Sequence, residues 1–397
     1  KFQIIRDAEI EIFLHKLINS TLENHKNKKY FPRLVFNSEY NAFVTGTNKI
    51  YINTGLINKS NSLSEIQAIL AHEIGHLTLN HYSSRLINTK NLSNYSKFAT
   101  LAGVALSATG KLDANSAIGL MFGSNDLAKK SSLQFSRIQE QQADKFALDQ
   151  MIKNKVSLRG LETLLNNLKN EEVTNIDATT YYYRSHPFSK QRLKQVMRYK
   201  LQYQKKPIEE QKVSINNNII SLLYIKNKIK SYDIDPFYII KNTENKNDFL
   251  SNYSRLIALY RVGKYDLAYQ NLLLIEDKFK RYPFLYELKG DIDFRKGDFN
   301  SAIQEYEKAI HSFQEEFSPS TDLIKFSLVK TYLQSTNKEK LKKSFIVLEE
   351  LLSNNPNWSY LWRLLAKCSG KLNKIGVSYI ALAEEALIKK NFIKAKK

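Results

Sequence analysis

A period of 34 residues near the C-terminus limits the folds open to this chain more than any other feature. YRVGKYDLAYQNLL, starting at Tyr260, is followed by FRKGDFNSAIQEYE, starting at Phe294, so that Gly263 recurs as Gly297, Tyr265 as Phe299 and Ala268 as Ala302. A unit this short cannot bury an apolar face alone and must stack on its neighbours. The small residues let two antiparallel helices approach, and the aromatics fill the gap between successive pairs. A looser unit spans about 322 to 356, and another begins at Trp358 with WSYLWRLLAKCSG. A short α-solenoid is the expected architecture here. Only 7 prolines and 13 glycines in 397 residues leave long helices uninterrupted and argue against an all-β sandwich.

Thirty-four residues is the length of a tetratricopeptide repeat, and residues 251–397 are predicted to form such a repeat domain. Ahead of them, DAEIEIFLHKLINSTL reads as an amphipathic helix. YFPRLVFNSEYNAFVTGTNKIYINTGLI alternates β-branched and aromatic residues with turn residues, the pattern of two or three short strands in a small sheet. Ser62 and Glu65 have capping-box spacing, and the apolar periodicity beyond them carries a helix through at least Leu79. A third strong helix covers roughly 131–154. A polar segment from Lys169 to Thr180 then leads to YYYRSHPFSKQRL, which closes a first domain at 1–202. Residues 203–250, rich in Lys and Asn, read as connecting helices. The fold class is mainly α, with an α+β first domain.

The net charge of +21 raises nucleic acid as a partner, but only 13 of the 60 basic residues are arginine and no run of five occurs. A solvated basic surface, and no nucleic acid, is the expectation. Cys368 is the one cysteine, which excludes an intramolecular disulfide and a cysteine metal cluster. The chain starts at Lys1 without a charged-then-apolar leader, as after removal of a signal peptide or trimming. The most apolar stretch, Phe98 to Phe122, is split by Lys111 and Asp113 and reads as a helical hairpin, either a cover for the first domain or a membrane-touching element.

His72-Glu73-Ile74-Gly75-His76 fits H-E-x-x-H inside a predicted helix. Positions 72 and 76 lie one turn apart on one face, so two imidazoles can bind one Zn²⁺, with Glu73 beside them to take a proton from the metal-bound water. Gly75, costly in a helix interior, suggests a close backbone neighbour, and a strand would fit. In SRIQEQQAD, Glu140 can complete a His₂Glu site, and Asp144, one turn on, can hold the Nδ1 proton of a ligating histidine. H-E-x-x-H-x-x-G-x-x-H would need glycine at 79 and histidine at 82, where Leu79 and Tyr82 stand. His81, one residue out of that register, reads as structural or solvent-facing. Arg192 reads as a structural ion-pair donor.

HEIGH, then E-Q-Q-A-D and S-H-P-F-S-K-Q-R-L, resembles the zinc metallopeptidases that include HtpX and the CAAX prenyl proteases. Appended repeats narrow the resemblance to the periplasmic BepA-type proteins. IRDAEIE, NAFVTGTNKIYINTGLI, YELKGDIDFRKGDF and WRLLAKCSGK look like alphaproteobacterial versions. The resemblance implies a zincin-like first domain with His72, His76 and Glu140 as Zn²⁺ ligands and Glu73 as general base. It places Asn41, Ala42 and Phe43 on an edge strand that pairs with substrate backbone, and His186 near the metal, capping its open position or assisting the oxyanion. Gln139, Gln141 and Gln142 stand where that family is often more acidic. The implied activity is zinc endopeptidase action on misfolded or misassembled cell-envelope proteins in the periplasm. The repeats would dock clients or the outer-membrane assembly machinery, with peripheral membrane contact. The alternative is a chaperone or scaffold for outer-membrane protein assembly whose zinc site is mostly latent.

Overall fold

The alternation in the N-terminal strand segments has a direct structural outcome. In β2 (Phe31–Val35) and β4 (Lys49–Asn53), Leu34, Ile50 and Ile52 are fully buried on one face, while Phe31, Arg33 and Tyr51 on the other are partly exposed. This is the half-buried sheet that period two dictates. These observations come from a computed structural model, which describes residues 3–22, 30–45, 48–81, 137–174, 186, 190–204, 206–215, 218–276, 281–313 and 318–396. The predicted hairpin at 98–122 and the start of the helix predicted from 131 lie outside the described residues. The chain divides into two compact units, one of residues 1–5 and 14–211 and the other of 6–13 and 212–397.

In the first unit the sheet order is β1-β2-β4-β3, with β1 (Ile4–Ile5) antiparallel to β2, β2 parallel to β4, and β3 (Ala42–Val44) antiparallel to β4 with Phe43 opposite Tyr51. Thus β3 ends the sheet among the described residues. After α1 (Ala8–Thr21) and α2 (Thr54–Lys59) comes α3 (Leu63–Thr78), begun by Ser62, whose hydroxyl accepts from Glu65 N as the capping box requires. Glu65 does not complete the box; its carboxylate accepts from Asn61 N at 2.9 Å and from the Tyr40 hydroxyl. Residues Leu63 to His76 of α3 are all buried, because the helix packs on β3 and β4 as well as on α4 (Arg137–Lys153) and α5 (Arg159–Thr174). α6 (Lys190–Tyr203) lies against α4 and α5. Among the described residues, no helix is long and apolar enough to cross a membrane.

Beyond residues 6–13, the second unit resumes at 212 with a hairpin, β5 (Val213–Ile215) and β6 (Asn218–Ile220), within the stretch expected to hold connecting helices. Strands of three residues carry too little alternation to read in sequence. Then follow α7 (Leu222–Asp233), α8 (Pro236–Thr243), α9 (Phe249–Arg261), α10 (Tyr265–Glu276), α11 (Pro283–Lys296), α12 (Phe299–His311), α13 (Ser318–Tyr332), α14 (Lys338–Asn354), α15 (Ser359–Lys371), α16 (Ile375–Ile388) and α17 (Phe392–Ala395). From α9 to α16 each helix packs on the next. Gly263 and Gly297 have φ of 78° and 84°, the left-handed conformation that ends α9 and α11. That conformation explains why glycine recurs at the 34-residue spacing. A Cβ on Gly290 would lie 2.8 Å from the Tyr306 ring, so α11 and α12 approach as closely as the small-residue pattern required. Glu9, buried in this unit, accepts from Lys228 Nζ at 2.6 Å and from the hydroxyls of Tyr253 and Tyr282.

His15, in the first unit, is 7% exposed, and burial, with the Arg33 charge, pushes its imidazole down to about 4. The unfolded imidazole takes its proton near pH 6.5, so the stability conferred by neutral His15 is present above that pH and is lost as pH falls towards 4. We expect this group to add a slope of up to about 1.4 kcal/mol per pH unit in that window. Urea unfolding at several pH values should show a flatter acid limb in His15→Phe; an unaltered limb would contradict the assignment.

Candidate metal centre

The apolar stripe of α3 carries three polar residues into the interior. His72, Glu73 and His76 are 0%, 1% and 0% exposed, and one helical turn sets the two imidazoles side by side with their Nε2 atoms 3.1 Å apart. α4 lies against this stretch at Gly75, where a Cβ would come within 3.2 Å of the Ala143 backbone and the Phe146 ring. The close neighbour expected of Gly75 is therefore a helix and not a strand. The close approach brings in Glu140 and Asp144, both fully buried. His186 is also buried.

Donor atoms from four residues converge. Glu140 Oε2 is 3.4 Å from His72 Nε2, and Glu140 Oε1 is 3.3 Å from His76 Nε2. His186 Nδ1 is 3.3 Å from His72 Nε2 and 3.0 Å from Glu140 Oε1. A tetrahedral ion with bonds of about 2.0–2.1 Å separates its ligand atoms by about 3.3–3.4 Å. His72, His76, Glu140 and His186 have the donor types and the spacing to hold one ion, and form a group of this kind found among the described residues. The other imidazole nitrogen of His186 lies 3.3 Å from Glu73 Oε1, so one ring touches both the donor cluster and the adjacent carboxylate.

A further shell fixes these groups. Asp144 Oδ1 is 2.9 Å from His72 Nδ1, leaving His72 Nε2 turned to the cluster. Arg192, on α6, holds Asp144 with two contacts of 2.6 and 2.9 Å and reaches Glu140 Oε2 at 2.8 Å. Burial would raise both carboxyls, but the Arg192 charge overcomes it at Asp144, down to about 2, and the His186 and Arg192 charges hold Glu140 well below the usual carboxylate range. Burial pushes His76 down to about 3, which keeps it neutral. At His72, burial is outweighed by the bonds to Asp144 and Glu140, which raise it to about 9. An ion binding here releases that proton.

Sequence spacing alone points to the pairs within α3 and within α4. It does not bring Arg192 to the carboxylates 48 and 52 positions earlier, because that contact depends on how α6 docks. His81, expected to be structural or solvent-facing, is 5% exposed and touches His76, with 3.0 Å between the two Nδ1 atoms. Asn41 and Ala42 are buried at the start of the terminal strand β3, where Asn41 O accepts from Asn53 N at 3.0 Å and Phe43 stacks on Tyr51.

Residues 5–200, the stretch that holds every one of these groups, match Peptidase family M48. This N-terminal part of the chain is an M48 metallopeptidase domain. Similarity extends well beyond the M48 match. The β-barrel assembly-enhancing protease of Escherichia coli (strain K12) is 21% identical over 96% of this chain and 76% of its own length. The protein of the same name from Yersinia pestis is 21% identical over 92% of this chain and 73% of its own. In the M48 domain, Arg192→Ala strands two buried carboxylates, and we expect a loss of about 3–5 kcal/mol in metal-free protein. Arg192→Lys should recover little of it, since an ammonium cannot span both carboxylates as the guanidinium fork does. Denaturant unfolding of the two variants checks this.

Proposed function

We propose that the chain is a zinc endopeptidase that hydrolyses peptide bonds in misfolded or misassembled cell-envelope proteins in the periplasm. The observation that carries this reading is the near-tetrahedral spacing of two imidazole nitrogens and a carboxylate beside a buried, non-ligating Glu73. His72, His76 and Glu140 would hold the ion, and this borderline nitrogen and oxygen set suits Zn²⁺. Zinc, when bound, lowers the pKa of a water to about 7 and polarises the scissile carbonyl. Glu73 accepts the proton of the attacking water and later delivers it to the leaving amine. Asp144 keeps His72 in the ligating tautomer, with Arg192 holding Asp144. Asn41, Ala42 and Phe43, with β3 at the end of the sheet, would align substrate backbone by strand addition.

The helix pairs after residue 250, read as tetratricopeptide repeats, would dock clients or the outer-membrane assembly machinery. Support comes from relatives that align with 92–96% of the chain at 21% identity and whose name ties them to β-barrel assembly. The domain division proposed is 1–202 for the peptidase, 203–250 for connecting elements and 251–397 for the repeats, with peripheral membrane contact and no nucleic-acid partner.

A second reading, a scaffold for outer-membrane protein assembly with a mostly latent zinc site, is favoured by the position of His186. Its Nδ1 lies where a fourth ligand would sit, and its Nε2 is beside Glu73. A ring held there keeps water from the open position. Peptide cleavage by His186→Ala measures the restraint: we expect basal turnover to rise several-fold, whereas loss of turnover with zinc retained would assign His186 to the oxyanion. For the base, Glu73→Gln should keep one zinc per chain and lose cleavage of an unfolded peptide by about 10²–10⁴-fold. Wild-type cleavage in that variant would overturn the endopeptidase reading.

A further inference from the structure

In an unbroken α-helix, residues five apart point about 140° away from each other around the axis. His81 should therefore face away from His76, yet the two rings meet edge to face with centroids 5.1 Å apart. The reason lies in how α3 ends. Leu79 caps the helix, its N–H donating to Gly75 O, and Asn80 adopts φ of 56°. That left-handed conformation is the one asparagine tolerates better than most side chains. The turn folds His81 back, burying it with Nδ1 3.0 Å from His76 Nδ1 and Nε2 3.0 Å from Gln142 Oε1.

Proton positions along this line follow from donor and acceptor chemistry. An amide oxygen only accepts, so His81 Nε2 carries hydrogen and donates to Gln142. Neutral His81 then offers a bare Nδ1, which accepts from His76 Nδ1–H. With its hydrogen on Nδ1, His76 presents a free lone pair on Nε2, the atom 3.1 Å from His72 Nε2 and 3.3 Å from Glu140 Oε1. The opposite amide orientation would donate to His81 and reverse each step, leaving hydrogen on His76 Nε2, where no ion can bind.

We propose that His81 and Gln142 are positioning residues that lock His76 in its metal-binding tautomer, as Asp144 does for His72. The inference rests on the reading of the cluster as a zinc site. Each ligating histidine would then be oriented from α4 by a separate partner, one charged and one neutral.

The test is Zn²⁺ affinity of the full chain, measured by chelator competition, beside the thermal midpoint of the metal-free protein. His81→Phe should weaken zinc about 10- to 100-fold with a similar midpoint. Gln142 is exposed, so its variants should fold whatever happens at His81. Gln142→Glu, which can only accept, should bind zinc at least as tightly as wild type; Gln142→Lys, which can only donate, should weaken it about 10-fold. Wild-type affinity in both His81→Phe and Gln142→Lys, or equal losses in Gln142→Glu and Gln142→Lys, would overturn the relay. Failure of wild-type protein to bind zinc would instead remove the zinc reading on which it stands.

Discussion

The packing of α3 against α4 at Gly75 and Ala143 is the contact on which the rest of the site depends. With 3.2 Å between the Ala143 backbone and the place a Gly75 Cβ would occupy, even a methyl group there requires the neighbouring helix to give by a few tenths of an ångström. The separations between the two imidazoles of α3 and Glu140 on the other helix, 3.4 and 3.3 Å, change with any such shift. The destabilisation that glycine brings to a helix interior, about 1 kcal/mol, is thus tied to the placement of two histidines relative to a carboxylate on another helix.

Such a cluster is costly to bury, and the surrounding charges show how it is kept. Three imidazoles and three carboxylates of the cluster lie at or near zero exposure, and the Arg192 guanidinium is a permanent cation set against them. It contacts Glu140 and Asp144, while Glu73, the base proposed above, lies 3.3 Å from the other nitrogen of His186. The acidic groups thus differ in their neighbours, two set against a guanidinium and one against an imidazole.

Much of this was legible in sequence, and for identifiable reasons. H-E-x-x-H and the Ser62 cap are local signals, each decided within a turn or two of chain, and the 34-residue spacing of Gly263 and Gly297 is a repeat that shows when two segments are laid side by side. The mainly helical class and the small N-terminal sheet follow from the same periodicities. What escaped was either too short or too distant. Strand β1 has two residues and the β5–β6 hairpin three per strand, below the length at which alternation is readable. Arg192 reaches its partners through tertiary docking, and His81 reaches His76 through one left-handed asparagine that breaks the register by which its position had been read.

Chain order gives Arg192 a consequence of another kind. A polypeptide elongating from its N-terminus has H-E-x-x-H and Glu140 long before the arginine that neutralises the surroundings of that glutamate. Until residue 192 has been made and α6 has docked, Glu140 and Asp144 have no fixed cation beside them, and holding both ionised in an apolar interior is unfavourable. A chain still short of Arg192 therefore lacks the cation that fixes Glu140 and Asp144, at a time when unfolded backbone, its own included, is within reach.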